Sequence, residues 1–289
     1  MSVSDLKKLI ELAQKALTIG DLERAKNCYL QYLSVQHDIK CVIALGNIFL
    51  QEKRPDEAYK LLKDESDLFS DDMLFKFYLK VLQERHFYIE AKQVSYLLGK
   101  PLAIEIVPIV GFDADKIMSD FHKLNIITQE DYIKLYSLDE ETFIEFSKSL
   151  LLDPTTDFIV KATLCNDFIK LGVSKKINIR ILGQMRFFVP ADTSIFYQNS
   201  IYRYLISFLK HHYENNPSKL NLLVNEITIF CEVIFPCIEL YITDADKFAR
   251  CFIDYINGES DNINEYTKLI NDVYAELYRF NYNYKIKNN

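Results

Sequence analysis

Glycine is scarce in this sequence. Only 7 of the 289 residues are glycine, about a third of the usual frequency near 7%. They are scattered singly, so no pair has the GxGxxG or GxxxxGK spacing. Phosphate-cradling loops, nucleophile elbows and tight strand hairpins need glycine, because it alone accepts positive φ without a steric penalty. The scarcity disfavours those structures and predicts a chain that is mostly helix.

Sequence patterns for metal binding and covalent catalysis are also missing. None of the six cysteines forms a CxxC pair, and no histidine stands at a zinc-ligand offset from a cysteine pair. HExxH, GxSxG and the catalytic-cysteine signatures are absent as well. We expect the cysteines to be buried, reduced thiols. The sequence therefore predicts no metal, no cofactor and no catalytic residue, so that the chain is not an enzyme.

Long apolar runs are lacking too. Residues 1–8 are not followed by the apolar stretch of a signal peptide. The longest apolar-looking stretch, residues 227–242, is interrupted by Glu232, Pro236 and Glu239 and is too short to cross a bilayer. The formal net charge of −7 disfavours a protein whose main task is to neutralise phosphates. We expect a soluble cytoplasmic protein with no membrane partner and do not expect nucleic acid as its ligand.

What the sequence does contain is an internal repeat. Three alanines recur at an equal interval of 33, each near the start of a helical pattern: Ala25, Ala58 and Ala91. Upstream of each alanine lies a pair of small or apolar residues on the preceding helical pattern: Leu12-Ala13, Leu45-Gly46 and Tyr78-Leu79. Small residues at both places allow two helices of one hairpin to cross closely, so that Gly46 faces an alanine.

These residues resemble the motif of the tetratricopeptide-repeat (TPR) family. The resemblance implies three helical hairpins over residues 4–36, 37–69 and 70–100. The third repeat departs from the motif, because Leu79 stands at the small position and Ser95 at an aromatic one. The period is also slightly shorter than the usual length of about 34 residues. A TPR hairpin cannot bury its apolar face alone, so the third hairpin needs a cover downstream.

The remaining residues, 101–289, read as further helices. Two segments have the capping-box pattern of a helix start, Thr128 to Asp131 and Ser137 to Glu140. Residues 151–172, with an Asp-Pro turn and a closing Leu-Gly, resemble a HEAT or armadillo unit. We therefore predict an all-α fold with two regions. TPR-like hairpins in residues 1–100 continue into a HEAT-like α-α superhelical stack in the C-terminal region, 101–289. We expect this region to pack on the repeats.

One stretch has the period of a strand. Isoleucines alternate with polar residues at 177, 179 and 181, and apolar residues alternate again at 185, 187 and 189, on either side of Gly183. This pattern predicts a small β-hairpin at about 177–189. With these elements the chain is similar to a group of cytoplasmic TPR proteins of low-G+C Gram-positive bacteria to which no activity is assigned.

The TPR resemblance also implies a binding surface. In that family the first helices of successive hairpins line a concave groove that takes a peptide. The groove residues by matching position are Lys7, Ile10, Gln14, Lys40, Ile43, Asn47, Lys76 and Lys80. Ile10 and Gln14 stand where modules that clamp a C-terminal dicarboxylate have lysine and asparagine, so a chaperone tail is not the expected ligand. The mixture of basic and apolar groups predicts a protein or peptide ligand of acidic and apolar character. A solvated face without a ligand is the alternative.

Other functions are kept as alternatives to this scaffold or adaptor role. One is a regulator in which a small peptide shifts the curvature of the stack. Another is an enzyme with a site in the C-terminal region, marked by perturbed titratable groups near Arg180, Arg186, His211 or Asp246. The cations around the β-hairpin, at 175, 176, 180 and 186, are read as a guard against edge-to-edge aggregation in preference to a nucleic-acid site.

Overall fold

The fold is all-α with one small β-hairpin, as predicted. The structure is a computed structural model that describes residues 3–258 and 264–280, and about 69% of these residues are helical. The described residues form two compact units. The first unit comprises residues 1–95 and 100–140, and the second comprises 96–99 and 141–289. The predicted domains, divided at residue 100, stay a prediction.

Three successive pairs of helices joined by short turns, which we call the three hairpins, make up most of the first unit, and the helices of the first two pairs are in close contact. Asp38 and Asp71, which are one repeat apart, cap the first helices of the second and third hairpins. Their side chains accept hydrogen bonds from backbone N–H groups of the first turn. These caps satisfy amides that have no partner within a helix. The helices of this unit are α1 (Val3–Thr18), α2 (Leu22–Leu33), α3 (Ile39–Gln51), α4 (Pro55–Lys63), α5 (Asp72–Glu84), α6 (Tyr88–Leu98, whose last turn groups with the second unit), α7 (Phe112–His122) and α8 (Gln129–Tyr132).

Small residues bring the helices of the hairpins close together. Ala13 and Ala25 are fully buried where α1 packs on α2. A methyl group added to Gly46 of α3 would overlap the ring of Phe77 on α5. A larger residue at this position would therefore force the Phe77 ring of the next hairpin to move. The predicted approach of Gly46 to Ala58 stays a prediction.

Residues 100–140 cover the third hairpin. The ring of Phe87 packs edge-on against Tyr136, with 6.0 Å between the ring centroids. The Gln83 amide donates to the carbonyl of Glu105 at 3.1 Å, and Ile109 pairs with Leu138 in an isolated β-bridge. The cover that a terminal repeat requires is thus supplied by the segment that directly follows it.

The two predicted capping boxes in this segment have different outcomes. Thr128 and Asp131 form a capping box at the start of α8, as predicted. The second box is wrong, because Ser137 ends a short 3₁₀ helix, Ile133–Ser137. The Ser137 hydroxyl donates back to the carbonyl of Lys134 at 2.7 Å and does not cap the helix that starts at Glu140.

The second unit places helices around the β-hairpin. Strands β1 (Ile177–Ile181) and β2 (Gln184–Phe188) pair antiparallel through a two-residue turn at Leu182 and Gly183, both with positive φ, so the predicted hairpin is confirmed. The predicted HEAT-like stacking stays a prediction. The helices are α9 (Glu140–Leu152), α10 (Phe158–Lys170), α11 (Ser200–His212), α12 (Pro217–Ile234), α13 (Ile238–Tyr241), α14 (Ala245–Asn257) and α15 (Glu265–Arg279), with two short 3₁₀ helices, Pro190–Asp192 and Phe196–Gln198.

Both edges of this hairpin are engaged by side chains of the same unit. The Lys161 ammonium lies 3.5 Å from the carbonyl oxygen of Arg180 on β1. The Cys237 thiol contacts the carbonyl of Phe187 on β2 at 3.8 Å. An open strand edge invites pairing with another chain, and these contacts occupy carbonyl groups that would otherwise be available.

Candidate peptide-binding face

The eight predicted groove residues all lie on the first helices of the three hairpins, α1, α3 and α5. The four lysines and Gln14 are exposed, and Ile10, Ile43 and Asn47 are half-buried. Several occupy equivalent positions in successive repeats, as in the series Gln14, Asn47 and Lys80. We refer to the surface formed by these eight residues as the groove face.

One direct contact joins two neighbouring helices across the groove face. The Lys80 ammonium on α5 donates to the side-chain oxygen of Asn47 on α3 at 3.1 Å. The amide nitrogen of Asn47 donates in turn to the carbonyl of Ile43 at 2.9 Å, one turn earlier. Asn47 and Lys80 hold the same position in consecutive repeats, so this contact joins equivalent points of α3 and α5.

The other predicted residues have no such contacts. Within the part of the chain that the structure describes, the side chains of Lys7, Gln14, Lys40 and Lys76 make no hydrogen bond or ion pair with another residue. Their polar ends are therefore exposed to solvent and available to a ligand. Of the eight predicted residues, only Asn47 and Lys80 are joined by a hydrogen bond between their side chains in the described part of the chain.

The charge of the groove face is opposite to that of the whole chain. Its four charged members are all lysines, whereas the protein carries a formal net charge of −7. On α3 the only charged side chain is Lys40. Acidic residues of the second helices and turns are paired nearby, as Glu57 is with Arg54 at 2.7 Å and Glu52 with Lys26 at 3.0 Å. Asp72 and Glu84 lie one helical turn on either side of Lys76 and Lys80 on α5, so the positive charge is confined to the lysine positions themselves.

A buried carboxylate, which the sequence did not reveal, holds α5 in place. Glu90 on α6 is only 4% exposed. Its carboxylate accepts hydrogen bonds from the hydroxyls of Tyr59 at 2.7 Å and Tyr78 at 2.5 Å, and from the Lys63 ammonium at 2.9 Å. Burial and the neighbouring carboxylate raise the pKa of Tyr78, so its hydroxyl stays protonated as a donor. Because Tyr78 lies between Lys76 and Lys80, this network fixes the helix that presents both lysines.

The second unit contains a different group of buried charges, close to Arg180. Lys161 is 8% exposed and lines a cavity of about 10 Å³ together with Glu232 and Glu276. Burial lowers the pKa of Lys161 and raises that of Glu232 to about 7, with a further contribution from Asp157. Perturbed groups of this kind are common at functional sites. The cavity, however, has room for no more than about one water molecule, so it does not accommodate a substrate.

The other charged positions considered from the sequence are engaged at the surface of the second unit. Asp246 pairs with Arg250 at 2.8 Å, and this bond lowers the pKa of the carboxyl group. Arg186 donates to the Tyr241 hydroxyl at 3.2 Å, and Arg180 donates to the carbonyl of Leu152 at 3.3 Å. Arg180 and Arg186, which lie on the β-hairpin, thus contact groups of their own unit. Such contacts can stabilise a strand pair and protect its edges.

Neither a metal-binding cluster nor a membrane-spanning helix occurs in the described residues, 3–258 and 264–280. They contain no group of three or more histidine, cysteine, aspartate or glutamate side chains placed to hold a metal ion. None of their helices has both the length and the apolar character needed to cross a membrane.

Comparison of the chain with protein-family models, with curated proteins and with solved structures finds no match. The TPR resemblance therefore rests on the residues of the repeat themselves.

Proposed function

We propose that this chain is a TPR-type cytoplasmic scaffold or adaptor without catalytic activity, and that its groove face binds an acidic, partly apolar segment of another protein. The observation that carries the proposal is the contact between Lys80 and Asn47 at 3.1 Å. It joins equivalent positions of α3 and α5, which supports a common face for the groove residues of these two helices. HEAT-like stacking of the second unit is part of the same proposal.

The chemistry of the ligand follows from the side chains of the groove face. Lys76 and Lys80 are one helical turn apart and exposed, so they are placed to contact two carboxylates of one bound segment. Ile10 and Ile43 are half-buried and offer apolar surface between the charged groups. A ligand with acidic residues interleaved with aliphatic ones would match both features.

The third hairpin already holds extended main chain of its own. The side chains of Gln83 and His86 contact the carbonyl oxygens of Glu105 at 3.1 Å and Val107 at 3.2 Å. These carbonyls are two residues apart, which is the period of an extended strand. The intramolecular contact supports the proposal because it shows polar side chains of this hairpin engaging the backbone of an extended segment.

Selection from a phage-displayed library of random peptides on the immobilised full-length protein tests the proposal. Enriched peptides are then synthesised with a fluorescent label, and their affinity is measured by anisotropy. We expect acidic and aliphatic residues to be enriched. The variant Lys76→Glu with Lys80→Glu should bind these peptides at least about tenfold more weakly, because like charges then face each other.

A matched control is the variant Lys8→Glu with Lys15→Glu. It makes the same change of charge on two exposed lysines of α1 that lie outside the groove face. We expect it to retain affinity within about threefold, since screening limits the influence of distant charges. Equal weakening by both variants, or selected peptides without acidic residues, would contradict the proposal.

A further inference from the structure

The solvent side of α7 carries four residues spaced four apart. They are Phe112, Lys116 and Asp120, with Leu124 following the end of the helix, and all four are exposed. Phe112 is 83% exposed, an unusual position for a phenylalanine without a partner. Residues four apart form one ridge along a helix, and such ridges align in the commonest class of helix packing. We call these four residues the α7 ridge.

The chemical order of the α7 ridge reads the same in both directions: apolar, charged, charged, apolar, with opposite signs on the central pair. In an antiparallel arrangement about Met118, Phe112 of one copy meets Leu124 of a second copy. Lys116 then meets Asp120 of the second copy, and the same two contacts repeat by symmetry. A surface that complements itself in this way is what an isologous two-fold interface requires.

The flanking residues extend the same pattern. Val110 and Ile126 are equidistant from Met118 and are 61% and 80% exposed. Asp113 and Lys123, also equidistant from it, have opposite charges. Two further opposite charges, at the two ends of α7, would therefore meet across the same two-fold axis, and Val110 and Ile126 are exposed beyond them.

A cleft beside the α7 ridge can receive an aromatic ring. It has a volume of about 390 Å³, and its lining combines the apolar residues Ile109, Ile117, Phe121 and Leu124 with five charged residues, two of which are Lys116 and Asp120 of the ridge itself. Because Leu124 would oppose Phe112 of the second copy, the ring of that phenylalanine would enter the cleft. Aromatic residues that fill a partner's pocket are common anchors of protein interfaces.

The charged side chains of the α7 ridge can form ion pairs with a second copy. Asp120 is paired with Lys123 at 3.0 Å, but both side chains are more than half exposed, and an exposed pair of this kind contributes little to stability. Lys116 makes no ion pair within the described part of the chain. We propose that a second copy of this chain docks antiparallel on the α7 ridge, so that the protein forms a two-fold symmetric dimer.

Sedimentation velocity of the full-length protein over a range of concentrations tests the dimer. We expect a monomer–dimer equilibrium in the wild type. Phe112→Asp should abolish it, because the aromatic ring that fills the cleft of the second copy is lost. Lys116→Asp and Asp120→Lys should each weaken dimerisation at least about tenfold, because each creates two like-charge contacts across the axis. All three residues are exposed, so the variants should retain the circular dichroism and melting temperature of the wild type.

Mixing the two charge variants supplies the decisive result. In a heterodimer of Lys116→Asp with Asp120→Lys, every central contact again joins opposite charges, so an equimolar mixture should recover dimerisation to within about threefold of the wild type. A wild type that stays monomeric at all concentrations would overturn the proposal. A dimer insensitive to Phe112→Asp, or a mixture that associates no better than either variant alone, would overturn it as well.

Discussion

The two units of this protein bury charge in different ways. In the first, the Glu90 carboxylate receives three donors at hydrogen-bond distance. In the second, the Lys161 ammonium has one long contact, 3.5 Å to a carbonyl oxygen. It lies beside a small cavity that is lined by two carboxylates. A buried charge is tolerated when its partners are complete and otherwise shifts towards its neutral form. We therefore expect the first network to be rigid and the second to respond to pH.

The largest effect should come from removing the complete network. Glu90→Ala leaves two buried hydroxyls and an ammonium without their acceptor, so we expect the first unit to lose about 3–5 kcal/mol of stability. Urea unfolding followed by circular dichroism measures the loss, and hydrogen exchange locates it in α4 to α6.

The control for this change lies one repeat earlier. Glu57 occupies the position equivalent to Glu90 in the second hairpin, but it is half-exposed and pairs with Arg54 near the surface. Glu57→Ala should therefore cost about 1 kcal/mol or less. If both alanine variants lose the same stability, burial of Glu90 is not what distinguishes the third hairpin.

The second effect is a pH dependence of the second unit. Burial raises the pKa of Glu232 from 4.5 to about 7, and of Glu226, despite its bond from Tyr274, also to about 7. A raised pKa means that the folded unit binds more protons than the unfolded chain. The resulting stability is present below pH 4.5 and is lost as the pH rises through 7.

Substitution of Glu232 measures its share of this dependence. After a discount for partial exposure, Glu232→Gln should raise the stability at pH 8 by about 1–2 kcal/mol and flatten the profile between pH 5 and 8. Glu214→Gln, an exposed position on the loop before α12, is the control and should leave the profile unchanged. A profile that is equally steep in Glu232→Gln and in the wild type would contradict the assignment.

The smallest effect should come from Lys161 itself. Lys161→Met keeps the length of the side chain and removes a cation whose partners are incomplete, so the loss should be about 1 kcal/mol or less at neutral pH. It should shrink further at pH 5, where Glu232 is protonated. Thermal melts at both pH values check this, and a loss as large as that of Glu90→Ala would remove the distinction between the two networks.

The sequence predicted the features that depend on local pattern. The regular interval of the repeat, the capping box at Thr128 and the β-hairpin around Gly183 were all visible, because caps, turns and helical periodicity involve residues close together along the chain. The predicted capping box at Ser137 does not form. The backbone N–H of Ile109, which is distant along the chain, donates to the carbonyl of Ser137 at the end of a 3₁₀ helix. Long-range packing overrode a local signal there.

The buried charges were not predictable for the same reason. The positions equivalent to Glu90 in the first two repeats are Arg24 and Glu57, and neither residue is buried. The repeat position of Glu90 therefore does not indicate that it is buried. Its three donors come from helices α4 and α5, at distances of 12 to 31 residues along the chain. The close approach of Phe77, in the next hairpin, to Gly46 was likewise not predicted from the sequence.

The central claim is that lysines of α5 in the groove face recognise acidic residues of a ligand. A charge exchange tests it most directly: the affinity of the Lys76→Glu, Lys80→Glu variant is measured for a selected acidic peptide and for the same peptide with its acids replaced by lysine. We expect the variant to bind the lysine peptide at least about tenfold better than the acidic one, and the wild type to show the reverse preference. The same preference in both proteins would contradict it.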